Sequence, residues 1–229
     1  CLKHNPGGYA HNKLRDTFCS YLRRYTPYSV EKEPHVFNEP QTTTCKVTNK
    51  TKTEVISRRT DFKVTYMAKT EDGEISKTAH FDVNLVCPTA PSAFCDSQRD
   101  PANYVTDRFD QPVPKSDLPL HYAKLRENRK ANIYKARLEA KGEAFHPLIV
   151  ESTGAYGPRA SLFFRILHGG AKAREHKDPS ALVASCIEEA ACIRANAYAE
   201  RALRIAEICQ SRGTPLDDDI EEFHAVSSC

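Results

Sequence analysis

Two aspartates at polar positions of neighbouring predicted strands could together hold a divalent metal ion. Asp61 lies in the segment RRTDFKVTY and Asp82 in the segment HFDVNLVCP. Mg²⁺ prefers oxygen ligands and is commonly held by one or two carboxylates together with substrate phosphates. An ion held there would activate a water molecule and neutralise charge that develops on a scissile phosphate. For either aspartate alone, a solvated or salt-bridged side chain is the simpler interpretation.

Alternating polarity around both aspartates predicts a β-hairpin. Apolar side chains take every second position, as Phe62, Val64 and Tyr66 in the first segment and Phe81, Val83 and Leu85 in the second. Because successive side chains of a strand point to opposite faces, each strand offers an apolar face to a core and a polar face to a ligand. Asp72-Gly73 is a favourable turn. Asn84 shares the polar face of Asp82 and could orient water or phosphate.

A basic, helix-compatible segment could supply the cation that such a site needs. Residues 121–141 contain seven Lys and Arg against two Glu. From a helix laid across the sheet, Lys130 could reach the phosphate and stabilise its developing charge. The remaining cations could grip the nucleic-acid backbone without reading its sequence, and they are Lys124, Arg126, Arg129, Lys135 and Arg137. The alternative is an ordinary solvated helix face.

The order of the remaining elements predicts an α/β (α+β) fold, with a mixed sheet flanked by helices. A helix is predicted from a cap at Asn12, followed by a short strand that Pro34 ends and by a threonine-rich loop or edge strand. After the hairpin, residues 87–119 hold six prolines and predict an irregular insertion. The basic helix follows and closes at Gly142, and FHPLIVEST is predicted as a further core strand.

The C-terminal region is predicted to be helical. Pro158 begins a helix that Gly169-Gly170 stops, and Asp178 caps a long helix. A seam of small and apolar residues along the long helix is predicted to pack on the domain, with a free coiled coil as the alternative. Its members are Ala184, Ile187, Ala191, Ala195, Tyr198, Ala202, Ile205 and Cys209. The acidic tail PLDDDIEEFHAVSSC is expected to be loose.

Composition limits the class of protein. The 229 residues carry a net charge of +3, which is too small to identify a nucleic-acid binder by itself. No apolar run approaches the ~20 residues of a membrane span, so no membrane partner is expected. Nine cysteines without CxxC pairs, and the missing secretory signal, predict reduced thiols inside a cell. Because CLKHNPGGYA has no initial Met and no basic-then-apolar signal pattern, we expect a fragment of a longer polypeptide or one end of it.

Five segments occur in an order that resembles a known family. They are GGYAHNKLRD, RRTDFKVTY, FDVNLVCP, KANIY and FHPLIVESTGAYG. Together they resemble the restriction-like endonuclease of the PD-(D/E)xK superfamily that lies downstream of the reverse transcriptase in certain non-LTR retrotransposons. The resemblance covers about residues 1–170. It implies a restriction-endonuclease-like domain over residues 11–170, with the insertion at 87–119, and a C-terminal helical extension with an acidic tail over 171–229.

The resemblance also implies roles for individual residues. Asp61 and Asp82 take the positions of the family's metal-binding acids, and the metal would be Mg²⁺ or Mn²⁺. Lys130 and Tyr134 take the positions of its lysine and tyrosine on the helix and are implied to be catalytic. Asn84 stands where classical nucleases of the superfamily have lysine. This departure leaves the site dependent on Lys130.

Further positions are implied to be accessory. Glu151 falls on a glutamate of the family that is either an outer-sphere metal ligand or a residue of the fold. Either Asp16 or Glu33 could be the superfamily's additional upstream acid. His11 and Arg15 match part of a family motif, and their simpler interpretation is a helix surface or a helix–sheet hydrogen bond.

Two positions near the ends of the matched segments concern the fold. Thr60 stands where the family has proline, at a position that mainly shapes the chain. Cys1 resembles the last ligand of a zinc knuckle. Residues 1–10 would then be the tail of a truncated Zn²⁺ site, and His4 an ordinary loop histidine.

The resemblance implies an endonuclease that nicks chromosomal DNA in the nucleus, so that the exposed 3′ end primes reverse transcription. Its partners would be target DNA and, through the parent polyprotein, the element RNA. The alternative from another class is a catalytically inactive nucleic-acid-binding or structural module with the same fold. Catalysis requires Asp61, Asp82 and Lys130 to converge, whereas binding requires only the basic helix.

Overall fold

The computed structural model describes residues 6–44, 51–71, 73–86, 104–106, 112–114 and 120–212. Within these residues the chain forms four α-helices, α1 (Pro6–Tyr25), α2 (His121–Glu139), α3 (Ser161–Ala173) and α4 (Pro179–Arg212). It also forms eight strands, β1 (Ser29–Lys32), β2 (His35–Thr44), β3 (Thr51–Arg59), β4 (Phe62–Thr70), β5 (Gly73–Val86), β6 (Tyr104–Thr106), β7 (Pro112–Pro114) and β8 (Ala144–Glu151).

Four strands form the central sheet, in the order β1-β4-β5-β8. The pairs β1–β4 and β4–β5 are antiparallel, whereas β5 and β8 run parallel. The predicted mixed sheet flanked by helices is therefore confirmed. The β4–β5 hairpin is confirmed as well, with Phe62 opposite Phe81 and with Gly73 in the left-handed region at a φ of 122°.

The apolar face of the sheet forms the main core with α1, α3 and α4. Phe62 and Phe81 stack with their ring centroids 5.1 Å apart, and Phe163 of α3 meets both rings edge-on. All three side chains are fully buried. Truncating one such phenylalanine typically costs about 3–5 kcal/mol. The hairpin that carries both aspartates is therefore fixed from behind by a packed core.

Helix α2 covers the opposite, polar face of the sheet. Its buried residues form a single stripe, at Ala123, Glu127, Ala131, Tyr134 and Leu138. Tyr134 and Leu138 pack with Phe145 of β8. The turn after the helix closes at Gly142, whose φ of 72° suits the end of a helix, as predicted.

Strands β2 and β3 form a separate two-stranded ribbon, in the segment where the sequence predicted a loop or an edge strand. Their pairing runs from His35 with Arg59 to Thr44 with Thr51. At the base of the ribbon Val36 packs with Tyr134, and Lys141 Nζ donates a hydrogen bond to Val36 O at 3.0 Å. The ribbon is thus attached to α2.

Helix α1 begins at Pro6, so the prediction of a cap at Asn12 is wrong. Proline suits the first turn of a helix because its fixed φ is already helical and its missing N–H has no partner there. The helix therefore begins within the segment 1–10 that was assigned to a truncated knuckle. The other predicted domain boundary, after residue 170, falls inside α3, which runs from Ser161 to Ala173.

Helix α3 continues through Gly169 and Gly170, so the prediction that these glycines stop it is wrong. A Cβ at Gly170 would lie 2.5 Å from Tyr28 Cε2 and 2.6 Å from two side-chain carbons of Thr26. The missing side chain lets α3 approach the segment between α1 and β1 closely. This packing offsets the ~1 kcal/mol that a glycine costs inside a helix.

Alanine at the two glycines is expected to change stability in opposite directions. Gly170→Ala should lower the free energy of unfolding by about 1–3 kcal/mol, because the new methyl group overpacks a tight contact. Gly169→Ala should raise it by up to about 1 kcal/mol, because the site is open and alanine favours the helix. Urea unfolding measures both, and a stabilising Gly170→Ala would contradict the close approach.

Helix α4 packs on the same core through its first half, by way of Leu182, Cys186 and Ala190. The predicted seam of small residues is displaced from this face, and its first member, Ala184, is exposed. Small residues occur on several faces of α4, so their spacing did not identify the face that reaches α1 and α3. Leu203, in the second half, is 65% exposed.

Several predictions fall on residues outside the described ranges. Cys1, the acidic tail after residue 212 and most of residues 87–119 are among them. Within residues 87–119, the short strands β6 and β7 form an antiparallel pair. No helix of the described residues is both long and apolar enough to cross a membrane.

Candidate active site

Four hydrogen bonds fix Asp61 just before β4. Its backbone N–H donates to Phe81 O at 3.0 Å, and its carbonyl accepts from the Glu33 N–H at 2.9 Å. Its carboxylate accepts from the Val83 N–H at 2.6 Å and is bonded to His11 Nε2 at 2.9 Å. Asp61 therefore takes one defined position relative to β5.

Asp82 lies beside Asp61 because of the register of the hairpin. Phe62 pairs with Phe81, so residues 61 and 82 are next along the antiparallel ladder. The two carboxyl groups are close enough for each to affect the pKa of the other. Their side chains are 12% and 7% exposed. The structure thus brings the two predicted metal ligands together.

Lys130 of α2 contacts the acid pair from the polar face of the sheet. Its Nζ lies 2.8 Å from Asp82 Oδ2. The contact is an ion pair without the directional geometry of a hydrogen bond, and within the described part of the chain no group donates a hydrogen bond to this buried oxygen. The Lys130 side chain is 28% exposed, so it is only partly buried.

The surroundings push the pKa values of the two acids apart. Burial raises the pKa of Asp82 to about 7, the charge of Lys130 opposes this rise and the charge of Asp61 adds to it. Burial also acts to raise the pKa of Asp61, but its hydrogen bonds to His11 and the Val83 N–H outweigh burial and lower the pKa below its ordinary value. Two adjacent carboxylates repel each other, so a nearby cation stabilises the doubly ionised pair.

Helix α1 supplies His11, one of the two accessory residues of the family motif. The hydrogen bond to Asp61 raises the pKa of His11. Of the interpretations that the sequence allowed, the helix–sheet hydrogen bond is the one that the structure shows for His11. His11 thereby joins the first helix of the chain to the candidate site.

Arg15, one turn further along α1, forms ion pairs with Asp16 and Glu33, the two candidates for the upstream acid. Its Nε donates to Asp16 Oδ1 at 2.9 Å, and its guanidinium also pairs with Glu33. Asp16 is held in addition by Lys32 Nζ at 2.8 Å. The structure therefore joins both acids to a buried arginine, and it connects Glu33 to Asp61 only through the backbone.

A buried polar network next to both aspartates was missed in the sequence. Thr60 Oγ1 and His80 Nδ1 are 2.9 Å apart, and His80 Nε2 lies 3.1 Å from Glu143 Oε2. Thr60 precedes Asp61, and His80 shares the polar face of Asp82. Burial lowers the pKa of His80, which favours the neutral imidazole. The polar position of His80 in the strand pattern was the only available signal, since its partners are distant in sequence.

Tyr134 does not direct its hydroxyl group at the acids. The hydroxyl donates to Arg59 O at 2.9 Å, and the ring packs against Phe37 and Phe145. Burial raises the pKa of Tyr134 to about 12, so the phenol stays protonated. The contacts make Tyr134 an anchor between α2 and the end of β3, just before Asp61.

The two remaining accessory candidates lie on the polar face at different distances from the acid pair. Asn84 is half-buried and follows Asp82 by two residues on the same face. Glu151 pairs with Val86, whereas Asp82 pairs with Pro147, so Glu151 lies four residues further along the sheet. That spacing is about 13 Å, which is too far for a shared metal ion. Glu151 is a residue of the fold at the end of β8.

The predicted DNA-gripping residues lie on the outer side of α2. Lys124, Arg126 and Arg129 are exposed. Lys135 is 3.7 Å from Glu139 within the helix. Arg137 pairs with Glu39 of the ribbon at 3.3 Å and lies over the Phe37 ring. The first three are therefore available to DNA, while Arg137 also holds the ribbon against α2.

The acid pair fits one hard divalent cation. Asp61 and Asp82 offer carboxylate oxygens, and Asp82 Oδ2 is buried without a hydrogen bond. Among the described residues, no group of three or more His, Cys, Asp or Glu side chains is arranged to hold a metal ion. Water and substrate phosphate would therefore have to complete the coordination, as they commonly do for Mg²⁺.

Comparison with known proteins assigns no family to the chain. No protein-family model matches it, and no curated protein matches it either. A functional assignment therefore depends on two observations. They are the contacts among Asp61, Asp82 and Lys130, and the order of the five sequence segments.

Proposed function

We propose that this chain is the metal-dependent endonuclease domain of a retrotransposon polyprotein, with a restriction-endonuclease-like fold, and that it nicks target DNA. One observation carries the proposal: the hairpin register sets Asp61 beside Asp82, and Lys130 Nζ lies 2.8 Å from the second acid. Two acids and a cation on one polar face are the groups that metal-assisted phosphodiester hydrolysis uses. The ordered sequence segments support the same assignment.

The residues of the site would divide the work as follows. Asp61 and Asp82 would hold Mg²⁺ or Mn²⁺, which when bound polarises a phosphoryl oxygen and lowers the pKa of a water molecule. Lys130 places a positive charge where negative charge develops on the phosphate. His11 keeps the Asp61 carboxylate oriented through its hydrogen bond. Tyr134 holds α2, and with it Lys130, against the end of β3.

The exposed basic residues of α2 would hold the DNA backbone on the same side of the sheet. Lys124, Arg126 and Arg129 are suited to phosphate contacts, which set position without reading sequence. A nick made there exposes a 3′ end from which the parent polyprotein would prime reverse transcription of the element RNA. This activity would take place in the nucleus.

A catalytically inactive nucleic-acid-binding module is the second candidate function. The side chains of Asp61 and Asp82 are mostly buried, and each already has a partner. Asp61 is bonded to His11, and Asp82 is paired with Lys130. The basic residues of α2 are exposed whether or not the acids bind a metal. This observation is compatible with DNA binding that requires no catalysis.

A plasmid-nicking assay distinguishes the two functions. With Mg²⁺ or Mn²⁺ the wild-type chain should convert supercoiled plasmid to the nicked form, and EDTA should stop it. Asp82→Ala should bind the plasmid without nicking it, whereas Glu31→Ala, which removes a half-exposed acid at the edge of the sheet, should nick normally. Equal nicking by wild type and Asp82→Ala would remove the catalytic assignment. Binding without metal-dependent nicking by wild type would favour the second candidate.

A further inference from the structure

The ribbon of β2 and β3 is exposed over much of its length. Nine residue pairs join the two strands, and no third strand of the described ranges pairs with either. At ~3.3 Å per residue, strands of ten and nine residues extend about 30 Å. The first five residues of β3 are all exposed, and Val55 is 74% exposed. The ribbon therefore presents a surface that the rest of the described chain leaves uncovered.

The base of the ribbon is fixed to the candidate site. Tyr134 binds Arg59 O, the last residue of β3, and Asp61 follows two residues later. Arg58 of β3 and Arg137 of α2 both pair with Glu39 of β2. These contacts tie the ribbon to the helix that carries Lys130. A ligand held by the ribbon would therefore be held at a fixed distance from the acid pair.

The composition of the ribbon favours a polyanion. At the ribbon and its attachment to α2, the described cations outnumber the described acids by three. They are Lys52, Arg58, Arg59, Arg137 and Lys141, against Glu39 and Glu54. Both acids are already paired, Glu39 with Arg58 and Arg137 and Glu54 with Lys52. Thr42 and Thr53 are exposed opposite each other and add hydroxyl groups that can donate to phosphate or base edges.

We propose that the β2–β3 ribbon lies in the major groove of duplex DNA beside the scissile phosphate. The location relative to a nick rests on the proposed function, whereas the binding itself does not. The major groove of B-form DNA is about 12 Å wide and admits a two-stranded ribbon. A ribbon of about 30 Å spans roughly nine base pairs at ~3.4 Å each. The major groove of A-form RNA is too deep and narrow for such contacts, so duplex DNA is the occupant.

Loss of one ribbon lysine tests the proposal. Binding of a fluorescent 30-base-pair duplex to the full chain is measured in EDTA over a range of salt concentrations, so that no cleavage occurs. Lys52→Gln should weaken binding about eightfold at 0.1 M salt and reduce the salt slope by about 0.9, as expected for one lost phosphate contact. Lys77→Gln is the matched control, since it removes an exposed lysine from β5, five residues or about 17 Å before Asp82.

A gain of charge provides a second test that misfolding cannot imitate. Glu54→Lys adds a cation to the exposed part of β3 and releases Lys52 from its ion pair. It should tighten binding severalfold and increase the salt slope by about 0.9 or more. Hydroxyl-radical footprinting of a pre-nicked duplex should show protection up to roughly nine base pairs from the nick, and Lys52→Gln should lose the distal part of it.

The outcomes separate this inference from the proposed function. Equal affinity of Lys52→Gln and Lys77→Gln, or unchanged affinity of Glu54→Lys, would overturn the ribbon proposal. Competition by an RNA duplex that is as strong as competition by the DNA duplex would overturn DNA as the occupant. The expected effects in EDTA, from a chain that never nicks plasmid, would uphold the ribbon while the endonuclease assignment fails.

Discussion

Replacing Lys130 with methionine is expected to lower the rate of nicking about 10²- to 10³-fold at saturating DNA, with little change in DNA affinity. Removal of one group that stabilises developing charge has an effect of this size in other enzymes. Lys130 is the basic residue of α2 that contacts the acid pair, with its Nζ 2.8 Å from Asp82 Oδ2. Methionine keeps an unbranched apolar stem, so the change is mainly one of charge.

Arg129→Ala is the matched control for this prediction. Arg129 is the neighbouring cation, is exposed, and is assigned to the DNA backbone. Its loss should weaken DNA binding about eightfold at 0.1 M salt without lowering the rate at saturating DNA. Single-turnover nicking and anisotropy measure the two quantities separately. A wild-type rate for Lys130→Met, or an equal loss of saturated rate for Arg129→Ala, would show that Lys130 has no catalytic role of its own.

The proximity of Asp61 and Asp82 could be predicted from the sequence, because the alternation of apolar residues restricts how β4 and β5 can pair. Phe62 and Phe81 must both face the core, and a slip by one residue would move every side chain to the opposite face. Phe62 indeed pairs with Phe81, and both rings are fully buried. The polar positions on either side of these rings then fall together. Sequence reasoning succeeds here because burial of two aromatic rings decides the arrangement.

Placing Lys130 required more than helical spacing. The buried stripe of α2 predicts which side of the helix faces the sheet, but not where along the sheet each turn lies. That placement depends on contacts such as Tyr134 with Phe145, made by residues that are distant in the chain. The sequence named Lys130 as a cation that could reach the phosphate, and the resemblance gave it the position of the family's lysine. Helical spacing alone does not distinguish it from the other six basic residues of the segment.

Other features depended on long-range contacts that local patterns do not encode. The partners of His80 lie 20 and 63 residues away, so its network could not be read from the strand that carries it. Glycine is suited to position 170 inside a helix because the helix packs closely there against Thr26 and Tyr28, which lie about 140 residues earlier in the sequence. The sequence predicted a loop or an edge strand where the ribbon lies. Its polar threonines lack the alternating apolar positions that usually indicate a half-buried strand.

The second large effect concerns stability, and its direction is opposite for the two acids. Asp82→Asn should abolish nicking and raise the free energy of unfolding of the metal-free protein by up to about 4 kcal/mol at pH 8. Burial raises the pKa of Asp82 to about 7 from the ordinary value of 3.8. At ~1.4 kcal/mol per pKa unit this is a penalty of about 4 kcal/mol for the ionised form, and the attraction of Lys130 is already included in the raised pKa.

The pH dependence follows from the raised pKa. Below pH 3.8 the Asp82 carboxyl group is protonated in both folded and unfolded chains, so it carries no penalty. Between pH 3.8 and about 7 the folded chain binds a proton that the unfolded chain lacks, and stability falls as the pH rises. Above about pH 7 the penalty is constant. The advantage of Asp82→Asn over wild type should therefore be larger at pH 8 than at pH 5, by about 3 kcal/mol.

Asp61→Asn is the matched control, with the same chemistry and the opposite sign. The pKa of Asp61 is lowered by its hydrogen bonds to His11 and the Val83 N–H, so its ionised form stabilises the fold at neutral pH. That contribution is present above the ordinary pKa and is lost as the pH falls through the lowered one. Asp61→Asn should thus abolish nicking and also destabilise the protein. Urea unfolding in EDTA at pH 5 and 8 measures both variants. A variant Asp82→Asn that is less stable than wild type at pH 8 would contradict the prediction. It would show that the ionised Asp82 carboxylate does not destabilise the metal-free fold, so its burial would give no support to a metal site.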